Sequence, residues 1–201
     1  MSKVVLDISI SLDGYVTGPD PGPEQGLGRG GEAIHAWVMG GPWTYEGGHE
    51  FATEGVDAQI LAEALERQGV PVVGRRMFEH AGRWGGTSPF GPTTIVVSHR
   101  PAPGDLAEDS GFVFVSGVPE AIEEARRHAG GKDVGIGGGA SIAQQALRAG
   151  LVDEIALHIS PVLVGGGTPL FQPNDGPPVH LRQVRSVQSG YATHIWYEVP
   201  H

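Results

Sequence analysis

The sequence predicts an α/β fold of three layers: a mixed, mostly parallel central sheet with helices packed on both faces. Three observations predict it. Short, nearly continuous apolar runs alternate with segments whose apolar residues recur at helical spacing, as in parallel sheets buried on both sides. The last two apolar stretches instead alternate with polar residues, which suggests strands added antiparallel at an edge. Finally, 201 residues with 39% apolar and 18% charged composition suit one globular domain over residues 1–201, large enough to bury a core.

The elements follow in order. Residues 4–10 read as the first strand. Val56, Ile60, Leu61 and Leu65 fall on one side of a helix, with Glu63, Glu66 and Arg67 on the other. Residues 70–73, 93–97 and 112–115 are short strands. Pro119 opens a helix where its missing N–H costs nothing, and Ala121, Ile122, Ala125 and Ala129 line the inner face. Residues 132–136 form a strand, and Ile142, Ala143, Ala146 and Leu147 mark a helix ended by Gly150. Residues 154–160 alternate through Ile155, Leu157 and Ile159, and residues 193–199 through Ile195, Tyr197 and Val199. Segments 18–31 and 165–178 are almost all turn formers, either solvated loops or flaps over a site.

Composition excludes several classes. With 13 Lys and Arg against 23 Asp and Glu, the net charge is −10, so nucleic acid is a poor partner and any bound anion needs a local basic patch. The absence of cysteine removes disulfides, thiolate nucleophiles and Cys-ligated metals. The nine histidines show no i,i+4 pair, so no metal site is expected. Without a signal-peptide pattern or a run of ~18 apolar residues, the expectation is a soluble cytoplasmic protein away from membranes.

The sharpest motif is Val134-Gly135-Ile136-Gly137-Gly138-Gly139-Ala140-Ser141, a strand that enters a helix through three successive glycines. Glycine admits close approach of a ligand, and a helix N-terminus offers unpaired N–H groups, so the turn suits a phosphate or pyrophosphate. It matches Gly-x-Gly-x-x-Ala, but Asp153 and Glu154 precede the next strand, the wrong end for a Rossmann ribose contact. It also imitates a nucleophile elbow at Ser141, with Asp153 and His158 or His194 in triad order. A P-loop fails at Arg126 and Asp133. Two further strands end in anion-binding groups: Gly74, Arg75 and Arg76 after one, Ser98, His99 and Arg100 after another.

This combination resembles the dihydrofolate reductase superfamily, and more closely the reductase domain of bacterial bifunctional riboflavin-biosynthesis enzymes and its stand-alone relatives. The resemblance covers nearly the whole chain, through Ser11-Leu12-Asp13-Gly14-Tyr15-Val16, Gly74-Arg75-Arg76-Met77-Phe78-Glu79, Ser98-His99-Arg100 and Ile136-Gly137-Gly138-Gly139 leading to Gln145-Ala146-Leu147. It implies a dihydrofolate reductase-like fold with NADPH as hydride donor. Arg75, Arg76, Ser98 and Arg100 then hold the 2′-phosphate, the glycine turn from Gly137 through Gly138, Gly139 and Ala140 to Ser141 holds the pyrophosphate, and Val16 and Thr17 close on the nicotinamide. Gly74 and His99 belong to the same segments.

The resemblance further implies a homodimer, a cis peptide bond between Gly137 and Gly138, and a small pterin- or aminopyrimidine-like substrate such as 5-amino-6-(5-phosphoribosylamino)uracil. Asp13 is the candidate catalytic group, for orienting substrate or delivering a proton; it could equally cap the turn at Gly14. Trp43 and Phe51 are candidates for stacking on a planar ring. Met77 replaces the family's threonine, no carboxylate among Glu50, Glu54 and Asp57 sits clearly at the pterin-gripping position, and the family's Asp-Asp-Pro loop is missing. The competing readings are a serine hydrolase using Ser141 and a nucleotide-binding domain without turnover.

Overall fold

The computed structural model describes residues 2–45, 52–173 and 177–200. Their strands form one sheet: β1 (Val4–Ser11), β2 (Gln68–Gly74), β3 (Thr94–Val97), β4 (Phe112–Val115), β5 (Asp133–Gly138), β6 (Glu154–Ser160), β7 (Arg182–Gln188) and β8 (Thr193–Glu198). The order across the sheet is β4-β3-β2-β5-β1-β6-β8-β7. The first six in that order are parallel, β8 runs antiparallel to β6, and β7 antiparallel to β8. The helices are α1 (Ala36–Met39), α2 (Gly55–Arg67), α3 (Arg75–His80), α4 (Val118–His128) and α5 (Ala140–Arg148).

The pleat of β1 sorts its residues between two faces. Val4, Leu6, Ile8 and Ile10 join Ile122 and Ala125 of α4 and Ala143 and Ala146 of α5 in the main core. On the opposite face, Trp37 of α1 and Ile60 of α2 pack with Ala156 and Trp196. Phe78 of α3 closes a third cluster over Val73 and Val96. The expected three layers are therefore present. None of the described helices is long and apolar enough to cross a membrane.

Two expectations about the edge need correction. β6 pairs parallel to β1, so it belongs to the parallel body. Its alternation misleads because the polar members, Glu154, His158 and Ser160, are buried and partnered rather than solvated. The antiparallel edge consists of β8 and β7. β7 carries no sequence signal, since its residues are exposed on both faces. The short helices α1 and α3 escape periodicity because they have too few residues to show it.

The three glycines where β5 meets α5 differ in what holds them. A Cβ on Gly138 would lie 2.0 Å from the Met77 sulfur of α3, so that thioether fills the space a side chain would need. A Cβ on Gly137 would meet nothing within 4 Å. Gly139, which caps α5, has φ 86 and ψ 103, outside the regions open to L side chains. The expected cis bond is not found: the peptide bonds among the described residues are trans, including that between Gly137 and Gly138. The chain turns from β5 into α5 through the positive φ of Gly139 instead. Gly139→Ala is therefore expected to cost about 1–3 kcal/mol in urea unfolding, whereas Gly137→Ala leaves stability unchanged. Equal stabilities for the two variants would contradict this account of the turn.

Candidate active site

Because β1, β2, β3 and β5 run parallel, their carboxyl ends lie along one edge, where open α/β sheets collect ligands. There a cleft of about 1290 Å³ brings together Val16, Thr17, Gly74, Arg75, Arg76, Ser98, His99, Arg100, Gly137, Gly138, Gly139, Ala140 and Ser141. All the sequence-predicted cofactor positions thus line one space. Trp43 lines it too; Phe51 lies outside the described residues.

The cations are not equally available. Arg75 Nε donates to Glu79 Oε1 at 2.9 Å and its Nη1 to the Pro101 carbonyl at 2.9 Å, while its guanidinium lies over Phe78 and Phe114. Arg100 donates from Nη2 to both Glu79 oxygens, at 3.1 and 2.9 Å. The Arg75 hydrogen bond, then that of Arg100, hold the Glu79 carboxyl below its usual range. Arg75, Arg76 and Arg100 against this one carboxylate leave two positive charges, and Arg148 of α5 lines the same cleft. Arg76 is exposed on the cleft wall, with no ion-pair partner recorded among the described residues. Ser98 secures its turn: its hydroxyl donates to the Arg100 carbonyl at 2.8 Å and accepts the Arg100 N–H at 3.0 Å.

Beside the cations, the open side of Gly137 leads to the start of α5, where the Ile142 and Ala143 N–H groups donate to the Gly139 carbonyl and those of Ala140 and Ser141 precede any intrahelical acceptor. Ser141 Oγ accepts from Gln145 Nε2 at 3.0 Å. Its proposed triad partners are engaged elsewhere. Asp153 Oδ2 accepts from the Val4 N–H, and His158 and His194 bond one another and two other carboxylates. No hydrolytic triad is assembled at Ser141.

Asp13 also departs from expectation. It does not line the cleft; its carboxylate accepts the N–H groups of Val164 at 3.2 Å and Gly165 at 2.8 Å. Its pKa is lowered, by the Ser11 hydroxyl most and by those N–H groups, so it fits a fastening role, not proton donation. Val16 N–H donates to the Thr168 carbonyl, and Thr168 N–H to Thr17 Oγ1. The stretch that follows β1, from Asp13 to Thr17, is thus joined to the second Gly- and Pro-rich segment beside the cleft.

With cleft and fold defined, comparison with known proteins becomes informative. The sequence profile of the RibD C-terminal domain matches residues 2–195. The chain belongs to the RibD C-terminal domain family. Among solved structures it is similar to a putative riboflavin biosynthesis protein from Shewanella sp. PV-4, with a TM-score of 0.70 and 21% identity over all of both chains. It is also similar to a deaminase/5-amino-6-(5-phosphoribosylamino)uracil reductase from Thermotoga maritima, with a TM-score of 0.64 and 12% identity. That match covers 99% of this chain but 57% of the longer one. Dihydrofolate reductase from Enterococcus faecalis, complexed with NADP(H), gives a TM-score of 0.60 and 17% identity over 99% and 97% of the chains. The fold is dihydrofolate reductase-like, and the family makes the chain an oxidoreductase of the riboflavin-reductase type.

Sequence reasoning missed two features of this RibD C-terminal domain. Asp57 of α2, His194 of β8, His158 of β6 and Asp7 of β1 form a hydrogen-bonded row, with contacts of 2.8, 2.7 and 2.9 Å. Each Nε2 faces a carboxylate, and the two Nδ1 atoms face each other between the rings. Burial first, and the His158 charge second, lower the pKa of His194. The signal was the pairing of His158 with His194 across two strands, which only the register reveals. The second feature is His35, at the end of a 3-10 helix (Gly31–His35) that packs on β1 and β6. It lines the cleft, and its Nδ1 is enclosed without a hydrogen-bond partner.

Desolvation, with the His158 charge behind it, lowers the His35 pKa from 6.5 to about 4. The folded value lies below the unfolded one, so this contribution to stability is complete above pH 6.5 and is lost as pH falls towards 4. Since the ring borders the cleft, the loss is at most about 3 kcal/mol. Urea titrations at pH 7 and pH 5 should show a smaller acid-induced loss for His35→Gln than for the unaltered protein; parallel losses would contradict the assignment.

Proposed function

We propose that this protein is an NADPH-dependent reductase that transfers a hydride to a small heterocycle of the pterin or aminopyrimidine kind. The observation that carries the reading is the meeting of the glycine turn with the guanidiniums of Arg75, Arg76 and Arg100 in one cleft of an acidic protein. The residues fit the cofactor. Arg76 and Arg100 supply charge for the 2′-phosphate, with Arg75 and Ser98 as the braced wall behind them. Gly137 leaves room for the pyrophosphate, and Ala140 and Ser141, which line the cleft at the start of α5, offer their N–H groups as donors to it. Val16 and Thr17, held by Thr168, border the place for the nicotinamide.

The cofactor supplies the hydride chemistry when bound; the chain's contribution is orientation and exclusion of water. The loop-to-loop bonds from Asp13 and Thr17 fix one wall of the reaction space. The glycine turn fixes the cofactor's depth relative to β1. Small displacements of either wall should therefore reduce turnover more than binding.

We also propose a homodimer and a cytoplasmic setting. Support for the dimer comes from exposed apolar groups, Leu163 beside the fastened loop and Val184 on the unpaired edge strand β7, a kind of edge that proteins cover or blunt.

Charge-assisted hydrogen bonds contribute about 1.5–3 kcal/mol each, and about 1.4 kcal/mol is tenfold in affinity. Calorimetry should therefore show NADPH binding at least about a hundredfold tighter than NADH. Arg76→Ala should weaken NADPH by about tenfold or more and leave NADH nearly unchanged. Equal affinities for the two cofactors would contradict the proposed site.

A further inference from the structure

The cleft divides along the strand order. One arm runs over β3, β2 and β5, and every arginine that lines the cleft belongs to it: Arg75 and Arg76 at the start of α3, Arg100 beyond β3, and Arg148 on α5. The other arm lies over β1, beside Ser9, and is walled by His35, Trp43, Tyr45 and the 18–31 loop. No lysine or arginine among the described residues lines this second arm. Its loop contributes Glu24, and Arg29 of the same loop pairs with Asp20 instead of lining the cleft.

A phosphate group carries about 1.5 to 2 negative charges near pH 7. In this arm it would be desolvated beside a carboxylate, without a permanent cation, in a chain of net charge −10. The polar atoms of the aromatic wall already have bonds: Tyr45 OH accepts from the Leu27 N–H at 2.7 Å, and Trp43 Nε1 donates to the Glu32 carbonyl at 2.9 Å. His35 differs: its Nδ1 is enclosed and out of a ligand's reach, whereas its Nε2 is neither enclosed nor hydrogen-bonded among the described residues and is the ring nitrogen open to a ligand in the cleft.

We propose that the substrate is an uncharged, phosphate-free planar heterocycle, and that the imidazole of His35 selects it by a hydrogen bond to an N–H or C=O in the plane of the ring. His35 is then the specificity-determining contact of the substrate arm, with Trp43 and Tyr45 flanking the ring. This rests on the reductase reading and departs from the phosphoribosyl substrate named for the Thermotoga maritima protein. An imidazole at this position forms the bond without a charge, and so favours a neutral ring over an anionic one.

The test uses full-length protein saturated with NADPH, titrated calorimetrically with 5-amino-6-(ribosylamino)uracil, its 5′-phosphate and 7,8-dihydropterin. The expected result is binding of at least one phosphate-free compound, with the nucleoside at least tenfold tighter than its phosphate. His35→Leu should weaken the phosphate-free compound tenfold or more, His35→Gln should retain it within a few-fold, and both should bind NADPH normally, which also reports that they are folded. Tighter binding of the phosphate, absence of binding by both phosphate-free compounds, or equal behaviour of the Leu and Gln variants would overturn the inference. Failure of the unaltered protein to bind NADPH would instead overturn the reductase reading beneath it.

Discussion

Between β2 and β1, the chain must leave the sheet at the same edge where its parallel neighbours also end, and it must do so without side chains. β5 occupies that central position, and its last residues are glycines for separate reasons: Met77 already fills the volume over Gly138, and Gly139 takes a backbone conformation closed to L residues. Because the turn is bare, α5 starts directly behind the strand and its first residues, Ala140 and Ser141, line the cleft. Because Met77 is packed against it, α3 is held close, and the arginines at the start of α3 sit beside the same opening. A wider turn would separate the dipole of α5 from the guanidiniums of α3.

Electrostatics then divide the cleft. Glu79 couples Arg75 to Arg100 and offsets one of the arginine charges, which leaves a local positive surplus in a strongly acidic protein. Arg75 is also packed over two phenylalanine rings, so part of its role is to hold the wall. The arm over β1 has no comparable cations, and its buried polar groups are largely satisfied internally. Behind it, the row from Asp57 to Asp7 links α2, β8, β6 and β1 through three hydrogen bonds. That row stiffens the floor under Trp37, whose indole N–H donates to Ser9 Oγ at 2.9 Å.

Much of this was legible in the sequence. Continuous apolar runs identify parallel strands because both faces of the sheet are covered, and the glycine triplet and the two arginine segments identify the cleft because each follows such a strand. What escaped depends on pairing across the sheet. The polar residues of β6 looked like a solvated face, yet His158 and Glu154 are buried with partners from other elements, which no local pattern encodes. Asp13 looked catalytic from its place after β1, but its carboxylate is taken by backbone donors about 150 positions away in sequence. His35 gave no signal, since a lone histidine in a turn-rich segment has no period or motif.

The most direct test of the central claim is a crystal structure of the protein with NADPH. The account predicts the pyrophosphate within hydrogen-bonding distance of the backbone from Gly137 to Ser141, the 2′-phosphate on Arg76 and Arg100, and the nicotinamide between Thr17 and β1. A cofactor bound elsewhere, or one whose 2′-phosphate meets none of the three arginines, would contradict it.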